Sequence, residues 1–262
     1  MGKIVLKREI VSVKSGDKVE KIYLLKTAKL DTFNPSVLGL GDIRTPSKDL
    51  EAVAAIFDLS GFTKFCGQID PQLCVPEYLS RFLEWLFEQV KKEFVNKSYP
   101  EGKTLYADLP FLAKFLGDGV LFLWDTKGMQ ITGVCNIVVA LRIICMRYGS
   151  DFYPKVKKDV VDPPTTLRCG IARGKVFSVG SGDDYVGPCI NIAARLQKLS
   201  LMTFCVSRKG FDFSKGMNAS EYSLYTLKSV ALRGIGDREL VWVFNTEFGA
   251  LPEEESKVFK ES

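Results

Sequence analysis

The order of the apolar segments constrains the fold of this chain more than any other feature. Residues 52–57 form a short apolar run typical of a buried strand, and residues 75–94 carry apolar side chains at helical spacing. Residues 111–124 predict two strands joined at a Gly-Asp-Gly turn, residues 130–148 a second helix, and residues 166–180 two further strands. This order, with extra strands after it, predicts a ferredoxin-like βαββαβ sandwich, an α/β (α+β) fold.

The sequence divides into three parts. Residues 8–26 place two β-branched runs around the turn signal Ser-Gly-Asp-Lys and predict a β-hairpin. Gly, Pro and Ser without periodicity then indicate a linker, so residues 1–49 are predicted to be an N-terminal hairpin and linker. Residues 50–246 form the main domain, and residues 247–262 are expected to be a charged tail.

The composition excludes several kinds of chemistry. The 262 residues include no histidine, which removes His general bases, His-ligated metals and Ser-His-Asp nucleophiles. Any catalysis must depend on carboxylates, Lys, Arg, Tyr, Cys or an oxygen-bound metal. The net charge of +5 is not concentrated in a basic run, so no nucleic-acid partner is expected, and the mild excess fits a small polyanion such as a nucleoside triphosphate.

The cysteines and the apolar runs indicate a compartment. Seven cysteines without a C-x-x-C spacing support neither a disulfide framework nor a zinc ribbon, which favours a reducing, cytoplasmic location. The first ten residues lack a signal-peptide core. The longest apolar stretch, residues 133–146, is interrupted by Arg142, so we expect a packed helix and no insertion into a membrane.

Two aspartates follow predicted strands at glycine turns. Asp58 ends the run 52–57, and Asp118 lies between Gly117 and Gly119. Because the first and third core strands of a ferredoxin-like sheet are neighbours, the two carboxylates should converge. Two carboxylates suit Mg²⁺ or Mn²⁺, completed by a backbone carbonyl, water and substrate phosphates. The structural alternative is that Asp58 caps the next helix and Asp118 serves the hairpin turn.

Two further features suit a phosphorylated ligand. Gly61 permits a tight turn, after which the amides of Phe62 and Thr63 lie near a helix N-terminus, where phosphate binds. Asn191 and Arg195 are four residues apart and so share one face of a predicted helix. An amide and a guanidinium together suit a ribose and a phosphate that gains charge, although such a pair is also common on helix surfaces.

Four motifs then point to a family. They are FDLSGFT (57–63), KFLGDG (114–119), DDYVGPCINIAAR (183–195) and LRGIG (232–236), in this order. Together they resemble the catalytic domain of class III adenylyl and guanylyl cyclases, over residues 50–246. The resemblance implies a metal-dependent nucleotidyl cyclase, which converts a nucleoside triphosphate into a 3′,5′-cyclic nucleotide and pyrophosphate.

The resemblance also assigns roles to the candidate residues. Asp58 and Asp118 resemble the two metal aspartates, and Leu59 resembles the residue whose carbonyl completes one metal site. Two Mn²⁺ or Mg²⁺ ions per site are therefore implied. Asn191 and Arg195 resemble the pair that orients the ribose and stabilises the pentavalent phosphorus.

Three more residues and an assembly follow from the same resemblance. Lys114 and Asp184 match the base-contacting pair of adenylyl cyclases, and Arg233 lies where a cationic phosphate ligand is expected. In this family the metal pair and the Asn/Arg pair act across a head-to-tail dimer. The resemblance therefore implies a homodimer with two shared active sites and a nearly inactive monomer.

Lys114 and Asp184 do not determine which base the nucleotide carries. Lys114 offers only donors and an ionised Asp184 only acceptors, which adenine, uracil and cytosine can all satisfy. Phe57 and Phe115, beside the metal aspartate and Lys114, would narrow the pocket against a purine. Alternatively, strand alternation directs both rings into the core.

The stretch 57–87 is especially similar to the bacterial pyrimidine cyclases of Pycsar anti-phage systems. This resemblance implies cyclic UMP from UTP, or next cyclic CMP from CTP, as a second messenger that activates a separate effector. Two alternatives stay open, an adenylyl cyclase that makes cyclic AMP and an inactive nucleotide-binding module.

Overall fold

The computed structural model describes residues 9–15, 18–24, 26, 28, 31–32, 34–95, 105–181, 184–199 and 201–261. The chain forms two compact units. The first consists of residues 1–49 and 177–186, and the second of residues 50–176 and 187–262.

The main elements follow the predicted order, with differences in residues 166–179 and after residue 244. The strands are β1 Glu9–Ser15, β2 Lys18–Leu24, β3 Asp49–Ser60, β4 Leu112–Phe115, β5 Gly119–Asp125, β6 Thr166–Val179, β7 Asp184–Val186, β8 Phe204–Ser207, β9 Tyr225–Leu232, β10 Gly236–Phe244 and β11 Phe259–Glu261. The α-helices are α1 Phe62–Cys66, α2 Pro71–Glu93, α3 Ile131–Arg147, α4 Tyr153–Val156, α5 Pro188–Leu196, α6 Phe213–Gly216, α7 Ala219–Tyr222, α8 Asn245–Gly249 and α9 Glu253–Ser256. A 3₁₀ turn spans Pro35–Leu38, and a π-helical turn, Tyr148–Phe152, joins α3 to α4.

The first unit contains the predicted N-terminal hairpin. β1 and β2 pair antiparallel, with Val11 opposite Ile22. Within the same unit, β7 pairs with the last three residues of β6. Ser178, on β6, connects this strand pair to the segment before β3. Its hydroxyl accepts a hydrogen bond from the backbone N–H of Lys48 at 2.9 Å.

The second unit confirms the ferredoxin-like prediction. Its sheet has the order β11-β9-β10-β8-β6-β3-β5-β4, and the stretch β6-β3-β5-β4 has the strand order of that fold. α2 packs on one face because Tyr78, Phe82, Leu86 and Val90 recur every four residues and are all buried. These side chains belong to one buried apolar cluster with side chains of the sheet, including Phe122.

α3 is the most apolar helix of the second unit. With the turns that continue it, it spans Ile131–Val156 and is long and apolar enough to cross a membrane by length and composition alone. Within this fold 61% of its most apolar stretch is buried. Arg142 does not interrupt it, because its guanidinium pairs with Glu221 at 3.1 Å. The segment is therefore packed as a core helix, as its sequence predicted.

β6 differs from its prediction. Residues 166–179 form one continuous strand and not two strands. Gly170 and Gly174 do not make a turn. Gly170 lies beneath α5, where an added Cβ would be 2.2 Å from the carbonyl oxygen of Ala193. The glycine is thus required for the close approach of helix and strand, on the sheet face opposite the α2 side.

The C-terminal residues form structure where a charged tail was expected. α8 and α9 precede β11, which pairs with β9 and places Phe259 opposite Val230. Phe259 is buried in a second apolar cluster that also contains Leu232 and Leu196. Phe248 and Leu251 also pack against this cluster, so several apolar side chains hold the segment to the sheet.

Candidate active site

The two aspartates are held together by the pairing of β3 with β5. Asp58 lies opposite Gly119, and the N–H of Leu59 donates to the carbonyl oxygen of Asp118 at 3.0 Å. At position 119 any Cβ would be 1.9 Å from the carbonyl oxygen of Phe57. Glycine at 119 is therefore what allows the two strands to bring the carboxylates side by side.

This pair has an electrostatic environment that favours a cation. Asp58 is only 9% exposed. Burial, and after it the charge of Asp118, raises the pKa of the Asp58 carboxyl above its ordinary value, while Lys198 and Arg168 act in the opposite direction. A bound cation would remove the repulsion between the two carboxylates.

α5 presents the predicted amide and guanidinium on its outer face. Cys189, Ala193 and Leu196 are buried against the sheet, whereas Asn191 and Arg195 are exposed. The spacing of four residues explains why both point away from the sheet together.

These residues surround one cavity of about 520 Å³ in a single chain. Its lining includes six residues that the sequence predicted: Asp58, Asp118, Asn191, Arg195, Arg233 and Phe57. Arg233 lies in the turn between β9 and β10, where Gly234 has a φ of +76°. The chain thus gathers two carboxylates, an amide and two guanidinium groups around one space.

Sequence reasoning missed three residues of this region. Lys198 lines the cavity, and the spacing 191, 195, 198 along one helical face could have revealed it. Gln197 also lines the cavity, and its side-chain oxygen is buried. Arg168 lies on β6, next to β3, and its charge lowers the pKa of Asp58. Only the long-range pairing of these strands places Arg168 there.

Other predicted residues are not brought into the cavity. Lys114, on β4, and Thr63, on α1, are not among the described residues that line it. Phe62 packs its ring against Phe65, with centroids 5.9 Å apart. Asp184 belongs to the first unit, on β7, where its carboxylate accepts a hydrogen bond from the N–H of Tyr185 at 2.8 Å.

The role predicted for the Phe57 ring requires a correction, and the role of the Leu59 carbonyl stays a prediction. The Phe57 side chain is fully buried and meets Phe122 edge to face at 6.1 Å. Phe57 is among the residues that line the cavity, but its ring faces the core and does not project into that space. Phe115 is 45% exposed on the sheet-edge strand β4. The Leu59 side chain is also in the core.

The donor set fits a divalent cation. Among the described residues, no group of three or more Asp, Glu or Cys side chains could hold a metal. The adjacent pair Asp58 and Asp118, with the carbonyl of Leu59 next to it in sequence, supplies hard oxygen ligands of the kind that Mg²⁺ and Mn²⁺ bind together with substrate phosphates.

Solved structures share this architecture. One is the adenylyl cyclase CyaB from P. aeruginosa, with 16% identity over 76% of this chain and 95% of that one, and a TM-score of 0.55. This chain has a class III cyclase fold. A bacterial light-regulated adenylyl cyclase shows 14% identity over 88% of this chain and 62% of that one, at a TM-score of 0.53.

A third neighbour was solved with a nucleotide. It is the catalytic core of a rhodopsin-guanylyl cyclase with converted specificity, in complex with ATPαS, with 18% identity over 76% of this chain and 98% of that one, and a TM-score of 0.51. No protein-family model and no curated protein sequence matches the chain. At these identities the likeness concerns the fold, and the chemistry must be argued from the cavity.

Proposed function

We propose that the protein is a metal-dependent nucleotidyl cyclase. It would convert a nucleoside triphosphate into a 3′,5′-cyclic nucleotide and pyrophosphate. The observation that carries this proposal is the convergence of Asp58, Asp118, Asn191, Arg195 and Arg233 on one cavity. Carboxylates for a metal, cations for a triphosphate and an amide for a sugar are the groups that this reaction needs.

Asp58, Asp118 and the Leu59 carbonyl would hold two Mg²⁺ or Mn²⁺ ions. When bound, the metal lowers the pKa of the ribose 3′-hydroxyl and neutralises phosphate charge. This suits a chain without histidine, because no imidazole base is required.

The chain's own cations bind the triphosphate. Arg195 and Arg233 line the cavity, as does Lys198, so three positive groups face the polyphosphate. In the reaction the 3′-oxygen forms a bond to the α-phosphorus while the bond to the β-phosphate oxygen breaks and pyrophosphate leaves. Guanidinium groups stabilise the charge that develops on the phosphoryl oxygens, and Asn191 orients the ribose.

The base stays a prediction that rests on sequence resemblance. UTP is favoured, then CTP, because residues 57–87 resemble the pyrimidine cyclases. Phe57 no longer supports this preference, since its ring is in the core. We further predict that the cyclic nucleotide is a cytoplasmic second messenger in anti-phage defence. It would activate a separate effector. The cytoplasmic location is proposed from the seven cysteines, which show no C-x-x-C spacing.

Product analysis tests the proposal directly. The purified protein is incubated with Mn²⁺ and each of ATP, GTP, CTP and UTP, and the products are identified by mass. We expect a cyclic nucleotide that disappears in Asp58→Ala and in Asp118→Ala but persists in Asp237→Asn, an exposed carboxylate outside the cavity. Absence of product with all four substrates would support the inactive module. Cyclic AMP as the main product would replace the pyrimidine assignment.

A mixing experiment tests the proposed homodimer. Asp58→Ala and Arg195→Ala are each expected to be inactive. If sites are shared between two chains, the mixture should recover about a quarter of wild-type turnover after random subunit exchange. No recovery, with exchange demonstrated, would mean that each chain completes its own site within the cavity described above.

A further inference from the structure

A second cavity, of about 560 Å³, lies in the same unit at the other end of β3. Its lining includes Glu51, near the start of that strand, whereas Asp58 of the first cavity lies near its end. An extended strand spans about 23 Å between these two positions. No described residue lines both cavities, so the second space is separate from the candidate active site.

The lining of the second cavity is mainly cationic. It contains Arg173, Lys175 and Lys209, and Glu51 is its only carboxylate among the described residues. In that part of the chain, neither Arg173 nor Lys209 forms an ion pair with an acidic side chain. Because a concave surface with an excess of one charge concentrates small ions of the opposite charge, this cavity is suited to an anion.

The guanidinium of Arg173 is oriented by two hydrogen bonds. Its Nε donates to Oγ1 of Thr126 at 3.1 Å, and one terminal nitrogen donates to the carbonyl oxygen of Gly210 at 3.1 Å. Gly210 has a φ of +82°, and an added Cβ there would be 3.0 Å from the Cβ of Arg173. Glycine therefore lets this turn lie against the arginine. The second terminal nitrogen of Arg173 has no acceptor among the described residues, so its N–H groups can bind a ligand.

These groups indicate the chemical class of the ligand. A guanidinium binds phosphate oxygens through several N–H groups at once, and lysines add point charges beside it. A phosphate group carries between one and two negative charges at neutral pH, which matches three cations and one carboxylate. The cavity is within the size range of small-molecule sites, and Pro188 and Ile192 add apolar surface for an organic group.

We propose that the second cavity is a ligand site, which binds a small molecule with a phosphate or diphosphate group. It borders the first turn of α5, the helix that carries Asn191 and Arg195 into the first cavity. An occupant would therefore lie against the helix that positions two residues of the candidate active site. The inference goes beyond the proposed function and does not depend on it, since it concerns different side chains.

Calorimetric titration of the full-length protein with pyrophosphate, in EDTA, tests this site. A background variant, Arg195→Ala with Arg233→Ala, removes two cations of the first cavity and so weakens binding there. We expect the background protein to bind pyrophosphate, and Lys209→Gln in that background to weaken binding about tenfold. Lys260→Gln, at an exposed position on β11 outside both cavities, is the matched control and should leave the affinity unchanged.

Arg173→Lys separates specific binding from general attraction of an anion. The variant retains the positive charge but lacks the planar group that Thr126 and Gly210 orient, so we expect a loss similar to that of Lys209→Gln. Lys209 is exposed, so its substitution should not disturb folding even if that of Arg173 does. Malonate, a dicarboxylate, should bind more weakly than pyrophosphate to the background protein.

Three results would overturn the proposal. One is a background protein that does not bind pyrophosphate, and another is a Lys209→Gln protein that binds it as tightly as the Lys260→Gln protein does. The third is malonate binding as tight as that of pyrophosphate, which would refute the phosphate assignment. None of these results affects the proposed cyclase, which is tested by its products and by the residues of the first cavity.

Discussion

Gly170→Ala is expected to impair turnover although Gly170 does not line the cavity. A Cβ at this position would be 2.2 Å from the carbonyl oxygen of Ala193 and 2.4 Å from the nitrogen of Gln197. Ordinary contact begins at 3.4 Å, so α5 must move away from β6 by about 1 Å. Because α5 carries Asn191 and Arg195, both would be displaced relative to the carboxylate pair.

The magnitude follows from this displacement. A misplacement of about 1 Å in a catalytic group typically costs about 100-fold in kcat. Overpacking at the helix–strand contact costs about 1–3 kcal/mol of stability, which a domain of this size tolerates. Steady-state kinetics with the preferred triphosphate measures the first effect, and urea unfolding measures the second.

Gly174→Ala is the matched control on the same strand and the same face. Its Cβ would be 3.5 Å from the Cβ of Cys189, an ordinary contact that displaces nothing. We expect this variant to retain wild-type kcat. If the Gly170→Ala enzyme turned over as fast as the Gly174→Ala enzyme, α5 would not be positioned by its contact with Gly170.

Two other predictions concern the carboxylate and the core. Burial and then Asp118 raise the pKa of Asp58 above 3.8, so the folded chain holds that proton more tightly than the unfolded chain does. The free energy of unfolding of the metal-free protein should therefore fall as the pH rises from 3.8 through the folded pKa. Asp58→Asn should remove this loss, so the variant should be more stable than wild type at neutral pH but not at pH 3. Urea unfolding in the presence of EDTA measures both stabilities. A wild type as stable as the variant at neutral pH would contradict this prediction. Phe57→Ala should cost about 3–5 kcal/mol of stability without changing the ratio of UTP to ATP turnover; a changed ratio would return Phe57 to the base pocket.

Local patterns were sufficient for the order of elements and for several site residues. Asp58 and Asp118 each end or precede a strand at a glycine, and the spacing of Asn191 and Arg195 fixes their common face. These signals lie within a few residues of one another, so no long-range information is needed to find them.

The face taken by Phe57, the position of Arg168 and the formation of β11 depend on packing between segments that are distant in sequence. Residues 52–59 are buried on both faces of β3, so alternation along the strand does not say which face Phe57 takes. Arg168 comes near Asp58 only because β6 lies beside β3. β11 has three residues, too few to show a periodicity in the sequence. It forms because Phe259 packs into an apolar cluster.

β11 also affects whether the edge of the sheet can pair with strands of other molecules. β11 closes one edge of the sheet with a short strand that carries exposed Lys260 and Glu261, features that discourage pairing with foreign strands. β11 covers Lys228, Ser229 and Val230; without it, the outer edge of all eight residues of β9 would be uncovered. Loss of the final residues should therefore be visible first as aggregation on storage, before any change in the chemistry of the cavity.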